Sequence, residues 1–268
     1  MKNIKIHCSW DLEFDLYTED QIELWVDSNP NLTKPEGAVR IGVFIEPPEI
    51  MNAMYLQVGL SHFDYILTHN QALLESNKNA FRYEFGGCWT KDYNFDEKKF
   101  GLSTLIGGKK MAHGHNIRSQ VFNRTNEIKV PKDIWISKNY PPTNPGIGNL
   151  ILSGTKSDMF ETQFHICIEN VKRDNWFTEK LLDCLYTKTV PIYYGCPNIS
   201  EWFDERGFII VDNVDEIILK SNSISPEMYQ EMLPYIEENY KRSQLYSNVG
   251  ENIRRSIEKN ILPLLVKK

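Results

Sequence analysis

The sequence has no apolar run that approaches the roughly 18 residues of a membrane span. Its first residues, MKNIKIHCSWDLEFD, lack the longer apolar segment and small-residue cleavage site of a secretory signal. The five cysteines are scattered and form neither a CxxC pair nor a metal-like cluster. An odd set of scattered cysteines without a signal favours a reducing compartment. The sequence therefore predicts a cytoplasmic protein with at most peripheral membrane contact, through Lys267 and Lys268.

Several catalytic motifs are also absent. No GxGxxG follows the first predicted strand, which argues against a dinucleotide oxidoreductase. No GxxxxGK[ST] phosphate loop, GxSxG elbow or HExxH pair occurs. The chain has no Asp-x-Asp pair, which argues against a metal-dependent glycosyltransferase of the single-domain kind. We expect no metal site and no bound cofactor.

The chain has fewer basic than acidic residues: 30 Lys and Arg against 36 Asp and Glu, which gives a net charge of −6. Such a chain lacks the positive field that nucleic-acid phosphates require, so we expect no nucleic-acid partner. The hydrophobic fraction of 41% is enough for a sizeable core in a chain of 268 residues. Aromatic residues reach 12%, which suits stacking on sugars or bases and equally suits a core rich in large rings.

Short apolar runs alternate with helical patterns, which is typical of βαβ units around a parallel sheet. Strands are predicted over 3–8, 40–45, 65–67, 101–106, 164–168, 190–194 and 208–211. Helices are predicted over 19–26, 71–75, 116–122, 178–186, 214–219, 226–240 and 245–261. The pattern predicts two Rossmann-like α/β domains facing a cleft, with a helical C-terminal tail. We place the domains at 1–97 and 98–268, the second of which includes the tail.

The densest polar stretch, FHICIENVKRDNWFTEKLLD, starts as a buried strand and ends in a helix. Thr178 is suited to cap that helix, whose amides and Lys180 would attract an anion. Glu179 can accept hydrogen bonds from vicinal hydroxyls, and Trp176 can lie against a base or sugar. An ordinary capped helix with an acid in its first turn explains the same pattern.

Glu46 stands where a predicted strand exits into Pro47 and Pro48. Such a turn fixes a carboxylate at the edge of a cleft, which suits a general base. Glu49 is a second candidate for that base, and a solvated loop acid is the alternative for both.

The segment GGKKMAHGHNIR combines glycines, two lysines, two histidines and Arg118. Arg118 can bind a phosphate in a bidentate manner. His113 and His115 are two residues apart and have no evident acidic partner, so the sequence assigns them no role. A polar surface loop is the alternative for every residue here except Arg118.

The stretch from Phe164 to Gly195 resembles the donor-binding signature of family 10 glycosyltransferases, the α-1,3/1,4-fucosyltransferases. Their pattern is F-x-x-x-x-E-N, a short loop, Tyr-Val-Thr-Glu-Lys, a helix and V-P-(I/V)-Y-x-G. Here it is FHICIEN, then WFTEKLLDCLYTKTVPIYYG. Trp176-Phe177 replaces Tyr-Val, which keeps an aromatic ring but loses its hydroxyl. Weaker matches are Arg118, early in a helix, and Glu46-Pro47-Pro48 for a Glu-Ser-Pro-like segment.

The resemblance implies a GT-B fold and an inverting, metal-independent transfer of fucose from GDP-fucose to a hydroxyl of a glycan. Arg118 and Lys180 would then neutralise the diphosphate leaving group. Asn170, Trp176 and Glu179 would bind the nucleotide and sugar.

On the same resemblance, Glu46 would be the base that deprotonates the acceptor. The N-terminal half matches the family poorly, so the acceptor is open. The alternatives are a glycosyltransferase of the same fold with another nucleotide-sugar, and a non-catalytic module that binds a nucleotide-sugar.

Overall fold

The computed structural model describes residues 4–30, 33–90, 97–139, 141–143, 148, 150–152 and 156–265. The chain divides into two compact units. Unit 1 comprises residues 1–85, 174–176 and 248–268, and unit 2 comprises 86–173 and 177–247. Among the described helices, none combines the length and the apolarity that crossing a membrane requires.

Strands and helices alternate along much of the chain. The strands are β1 (Ile4–His7), β2 (Ile22–Val26), β3 (Val39–Phe44), β4 (Tyr65–Thr68), β5 (Ala80–Arg82), β6 (Lys99–Ile106), β7 (Lys132–Ser137), β8 (Leu150–Leu152), β9 (Thr162–Ile168), β10 (Val190–Tyr194) and β11 (Ile209–Ile210). The helices are α1 (Pro48–Tyr55), α2 (Gln57–Leu60), α3 (Gln71–Ser76), α4 (His113–Asn123), α5 (Glu179–Tyr186), α6 (Val214–Ser221), α7 (Pro226–Ser243), α8 (Val249–Asn260) and α9 (Leu262–Leu265). Short 3-10 helices cover Thr125–Glu127, Ser157–Phe160, Ile199–Glu201, Glu205–Gly207 and Gln244–Tyr246.

In the described part of unit 1, five parallel strands form one sheet in the order β1-β2-β3-β4-β5. The predicted helix over 19–26 is wrong, because Ile22–Val26 is strand β2 between β1 and β3. Four of its five residues are buried, as expected for an interior parallel strand. The run IELWV is short and rich in β-branched and aromatic side chains, which favour a strand over a helix.

In the described part of unit 2, six parallel strands form a sheet in the order β11-β10-β9-β6-β7-β8. All seven residues of β9 are buried. Phe164, Ile166 and Ile168 join one apolar cluster, whereas Cys167 joins another that includes Leu181 of α5. Successive side chains of a strand point to opposite faces, so β9 is covered on both. The carboxyl end of this central strand carries Glu169 and Asn170.

Two parallel α/β units confirm the predicted pair of Rossmann-like sheets. The units differ from the predicted domains in three respects: the first ends at Phe85, it includes residues 174–176, and the chain from Asn248 returns to it. In α8, Ile253 and Ile257 are fully buried in a cluster with Leu24 and Val43 of unit 1. The sequence shows the apolar face of α8 but not which core it joins. The predicted loop over 139–149 lies largely outside the described residues.

Candidate functional site

The end of β9 is tied to the start of α5 by a buried carboxylate. Glu169 accepts hydrogen bonds from the backbone N–H of Thr178 (2.8 Å) and from its hydroxyl (2.7 Å). Thr178 Oγ1 in turn accepts from the backbone N–H of Lys180 at 3.3 Å, which confirms Thr178 as the helix cap. Burial raises the pKa of Glu169, although the Lys180 ammonium 3.8 Å away opposes that shift. The first turn of α5 is therefore held firmly against the sheet.

Four charged side chains meet along this first turn. Glu179 Oε1 lies 3.1 Å from Lys180 Nζ and 3.8 Å from Lys156 Nζ, which is also 3.6 Å from Asp183 Oδ2. Burial by itself would raise the pKa of Glu179, but the two lysines outweigh it and hold that pKa at about 2. Burial lowers the pKa of Lys180, but Glu179 and Glu169 outweigh that and raise it. Glu179 and Lys180 are therefore both charged at neutral pH.

Arg118 is anchored at the carboxyl end of β9. Its Nε and Nη2 donate to the carbonyl oxygen of Ile168 at 3.1 and 2.6 Å, and Nη2 also donates to Asn170 Oδ1 at 2.7 Å. The N–H of Gly114, at the start of α4, donates to the Asn170 carbonyl at 2.8 Å. A Cβ at Gly114 would collide with the Glu169 carbonyl oxygen, so only glycine permits this close approach of helix and strand. Arg118 and Asn170 are therefore in direct contact, as expected of two residues that bind the same ligand.

A pocket of about 330 Å³ opens in unit 2 beside these groups. Three of the predicted donor-binding residues line it: Arg118, Glu179 and Lys180. Strands β6 and β9 contribute apolar side chains to its lining, which also includes charged side chains. His115 and Lys156 also line the pocket, and the sequence assigns a role to neither.

Trp89 lines the same pocket, and sequence reasoning missed it as well. It is largely exposed, with Lys156 Nζ 4.0 Å from its ring centroid. Asp183 Oδ1 accepts a hydrogen bond from the Trp89 backbone N–H at 2.7 Å, and this bond holds the backbone of Trp89 in place. Lys156 and Trp89 lie outside any recognisable motif, so no sequence signal identifies them.

Trp176 has a different setting from the one predicted. It belongs to unit 1, its ring is 1% exposed, and Nε1 donates to the Ile45 carbonyl at 2.9 Å. A buried ring offers no open face to a base or sugar. The prediction of ligand stacking on Trp176 is therefore corrected to a structural role: the indole fixes the end of β3. Its neighbour Phe177 is buried in unit 2 against Trp202 and Phe203.

The backbone around Glu46 is held at several points within unit 1. Asp27 Oδ1 accepts the N–H groups of Ile45 (2.8 Å) and Glu46 (3.1 Å), and the Tyr55 hydroxyl donates to the Glu46 carbonyl at 2.9 Å. Burial raises the pKa of Asp27 to about 6, against the opposing effect of those amides. Glu46 is half-buried, whereas Glu49 is exposed in the first turn of α1. Asp27 is a further residue that the sequence does not single out.

His113 is exposed and His115 is buried. Within the described ranges, no group of three or more His, Cys, Asp or Glu side chains is placed to hold a metal ion.

Residues 147–245 match the model of glycosyltransferase family 10 (fucosyltransferase), C-terminal part. This stretch, a little over a third of the chain, is therefore similar to the C-terminal part of family 10 glycosyltransferases. The chain is 36% identical over 59 residues to the alpha-(1,3)-fucosyltransferase FucT of Helicobacter pylori, covering 21% of this chain and 12% of that protein. It is 35% identical over 95 residues to GDP-fucose protein O-fucosyltransferase 3 of Danio rerio, covering 34% and 21%. These matches therefore span a small part of either relative.

The fold extends over more of the chain than the family match. A solved alpha1,3-fucosyltransferase with GDP-fucose superimposes with a TM-score of 0.53 at 16% identity, covering 88% of this chain and 78% of that one. An alpha-glucosyltransferase in complex with UDP-glucose and DNA gives a TM-score of 0.52 at 12% identity, covering 92% and 80%. The predicted GT-B fold class is confirmed.

Proposed function

We propose that the protein is an inverting glycosyltransferase that transfers fucose from GDP-fucose to a hydroxyl of a glycan, without a metal ion. The observation that carries the proposal is the pocket of unit 2, where Arg118, Glu179 and Lys180 line one cavity at the start of α5. Glu179 and Lys180 belong to the donor signature, Arg118 is one of the weaker matches to the family, and the family match covers α5.

The charges of this pocket suit a nucleoside diphosphate. Lys180, Lys156 and Arg118 supply positive charge, and the first turn of α5 adds the partial charge of its amides. As the bond to the sugar breaks, negative charge grows on the diphosphate, and fixed cations stabilise it without reorganisation. Glu179, ionised through its lysine neighbours, is suited to accept hydrogen bonds from sugar hydroxyls. Side chains together with the amides of α5 would thus stabilise the leaving group.

Glu46 is the proposed general base. In a single displacement the acceptor oxygen gives its proton to the Glu46 carboxylate and bonds to the anomeric carbon of fucose. The bond from that carbon to the phosphate oxygen breaks, and its electron pair leaves with GDP. The anchoring of the Glu46 backbone by Asp27 and Tyr55 supports the role, because a base must be held in position.

The test separates donor binding from turnover. We expect GDP and GDP-fucose to raise the melting temperature, whereas UDP-sugars have a smaller effect. Glu46→Gln should bind GDP-fucose as the wild type does and lose turnover, measured as donor hydrolysis or transfer, by about 100-fold or more. Exposed Glu49→Gln is the matched control and should retain turnover.

Three results would contradict the proposal in different ways. No response to any guanine nucleotide removes the donor assignment. Loss of turnover in Glu49→Gln instead of Glu46→Gln transfers the role of base to Glu49. Donor binding without turnover for any acceptor would indicate a binding module.

A further inference from the structure

His115 is a buried, polar side chain in the pocket that the transfer mechanism above does not use. It is the third residue of α4, is 4% exposed, and lines the same cavity as Arg118 and Lys180. A buried imidazole surrounded by cations needs a physical explanation, because a positive charge there is costly.

The hydrogen bond of His115 fixes which ring nitrogen carries a proton. Nδ1 lies 3.0 Å from the backbone nitrogen of Ala112. A backbone N–H can only donate, so Nδ1 is the acceptor and carries no proton. In a neutral imidazole the proton is then on Nε2, which makes Nε2 a donor.

The charged surroundings keep the ring neutral. Burial lowers the pKa of His115, and the positive charges of Arg118, Lys109 and Lys180 lower it further, to about 4. At neutral pH the ring therefore holds one proton, at Nε2, rather than two. It adds a directional hydrogen bond to the pocket without adding to the repulsion among the cations.

We propose that His115 is a donor-binding residue whose Nε2–H donates a hydrogen bond to a phosphate oxygen of the nucleotide-sugar. The inference rests on the proposed function, which places a nucleoside diphosphate in this pocket. Arg118 and Lys180 supply the charge that attracts the diphosphate, and His115 supplies a fixed direction. Its own orientation is set by the Ala112 N–H, so the donor is positioned before the ligand arrives.

A pair of amide substitutions separates the two ring nitrogens. In His115→Asn the side-chain oxygen reaches the position of Nδ1 and still accepts from Ala112, but nothing reaches the position of Nε2. In His115→Gln the terminal amide reaches the position of Nε2 and restores a donor there. We expect GDP to bind His115→Asn about tenfold more weakly than the wild type and His115→Gln within about threefold of it. Binding is measured by calorimetry at pH 7.5, and guanosine is the control ligand that lacks phosphate.

The tautomer of the His115 ring can be measured without any ligand. Long-range proton–nitrogen correlation spectra of the free protein should show the neutral Nε2–H form of His115 unchanged from pH 6 to 8. An Nδ1–H form, or a ring that becomes charged in this interval, would overturn the hydrogen-bond argument.

The outcomes distinguish the two proposals. If the wild type binds GDP and His115→Asn binds it equally well, the role of His115 is wrong while the donor site stands. If His115→Asn weakens guanosine as much as GDP, the contact is not to phosphate and the inference fails. If the wild type binds no guanine nucleotide, the proposed function fails and this inference fails with it.

Discussion

At the residue scale, two carboxylates one helical turn apart respond to burial in opposite ways. Glu179 lies near both Lys180 and Lys156, and those charges lower its pKa to about 2 despite burial. Asp183 lies 3.6 Å from Lys156 and is fully buried, and burial raises its pKa to about 6. The balance between desolvation and nearby cations therefore decides which acid stays ionised below neutral pH.

Asp183 gives a prediction about stability and pH. Its folded pKa of about 6 exceeds the ordinary 3.8, so the folded state binds this proton more tightly than the unfolded chain does. The resulting stabilisation is fully present below pH 3.8 and is lost as the pH rises through 6. Relative to Asp183→Asn, the free energy of unfolding of the wild type should fall by about 2 kcal/mol between pH 4.5 and 7.

Urea denaturation at both pH values measures this difference. The side-chain amide introduced by Asp183→Asn keeps an oxygen that can accept the Trp89 N–H, so the comparison isolates ionisation. Exposed Asp158→Asn is the control and should show no such difference. An equal effect of Asp183→Asn at both pH values would contradict a raised pKa.

At the element scale, α8 tests the assignment of the tail to unit 1. The helix is capped by Asn248, whose side chain accepts the Glu251 N–H, and Ile257 is fully buried in the unit 1 cluster. Ile257→Ala should lower the free energy of unfolding by about 2–5 kcal/mol, because it removes buried methyl and methylene groups and leaves a cavity. Lys259→Ala, on the exposed face of the same helix, should change it by less than about 0.5 kcal/mol.

Denaturation of the two variants is the measurement. A small effect of Ile257→Ala, similar to that of Lys259→Ala, would mean that α8 contributes little to the core of unit 1.

Local patterns predict the elements that carry the donor signature. Short runs of sequence are enough for β9, α5 and β10, because a buried strand, a threonine cap and an amphipathic helix are encoded by near neighbours. The contact of Arg118 with Asn170 joins residues 52 positions apart, and no local pattern encodes such a contact. The helix predicted over 19–26 is wrong for the related reason that burial between β1 and β3 outweighs local preference.

Trp176 shows a different limit of prediction from the sequence. The signature stretch is continuous in sequence, yet residues 174–176 belong to unit 1 and their neighbours on both sides to unit 2. An aromatic ring in a ligand-binding motif predicts a contact with the ligand, whereas this ring contacts the end of a strand. For His115 the sequence gives no signal of a role in binding, because two histidines in a polar segment suggest no single chemistry. Its burial and its Ala112 contact are properties of the fold.

At the scale of the whole molecule, the net charge of −6 does not reveal that positive charge is concentrated locally, in one pocket. Arg118, Lys156 and Lys180 line one pocket of unit 2, where burial and the start of a helix strengthen their effect on an anion. An acidic protein can therefore carry a site for a nucleoside diphosphate. The buried strand β9 and the Thr178 cap of α5 fix the geometry of this pocket.

Calorimetric titration with GDP-fucose, for the wild type and Lys180→Ala, tests the central claim most directly. We expect saturable binding of one GDP-fucose per chain to the wild type and at least about tenfold weaker binding to Lys180→Ala, because an ion pair with the diphosphate is lost. Exposed Lys220→Ala on α6 is the matched control and should bind as the wild type does. Absence of binding to the wild type, or equal binding by Lys180→Ala, would contradict a donor site in the pocket of unit 2.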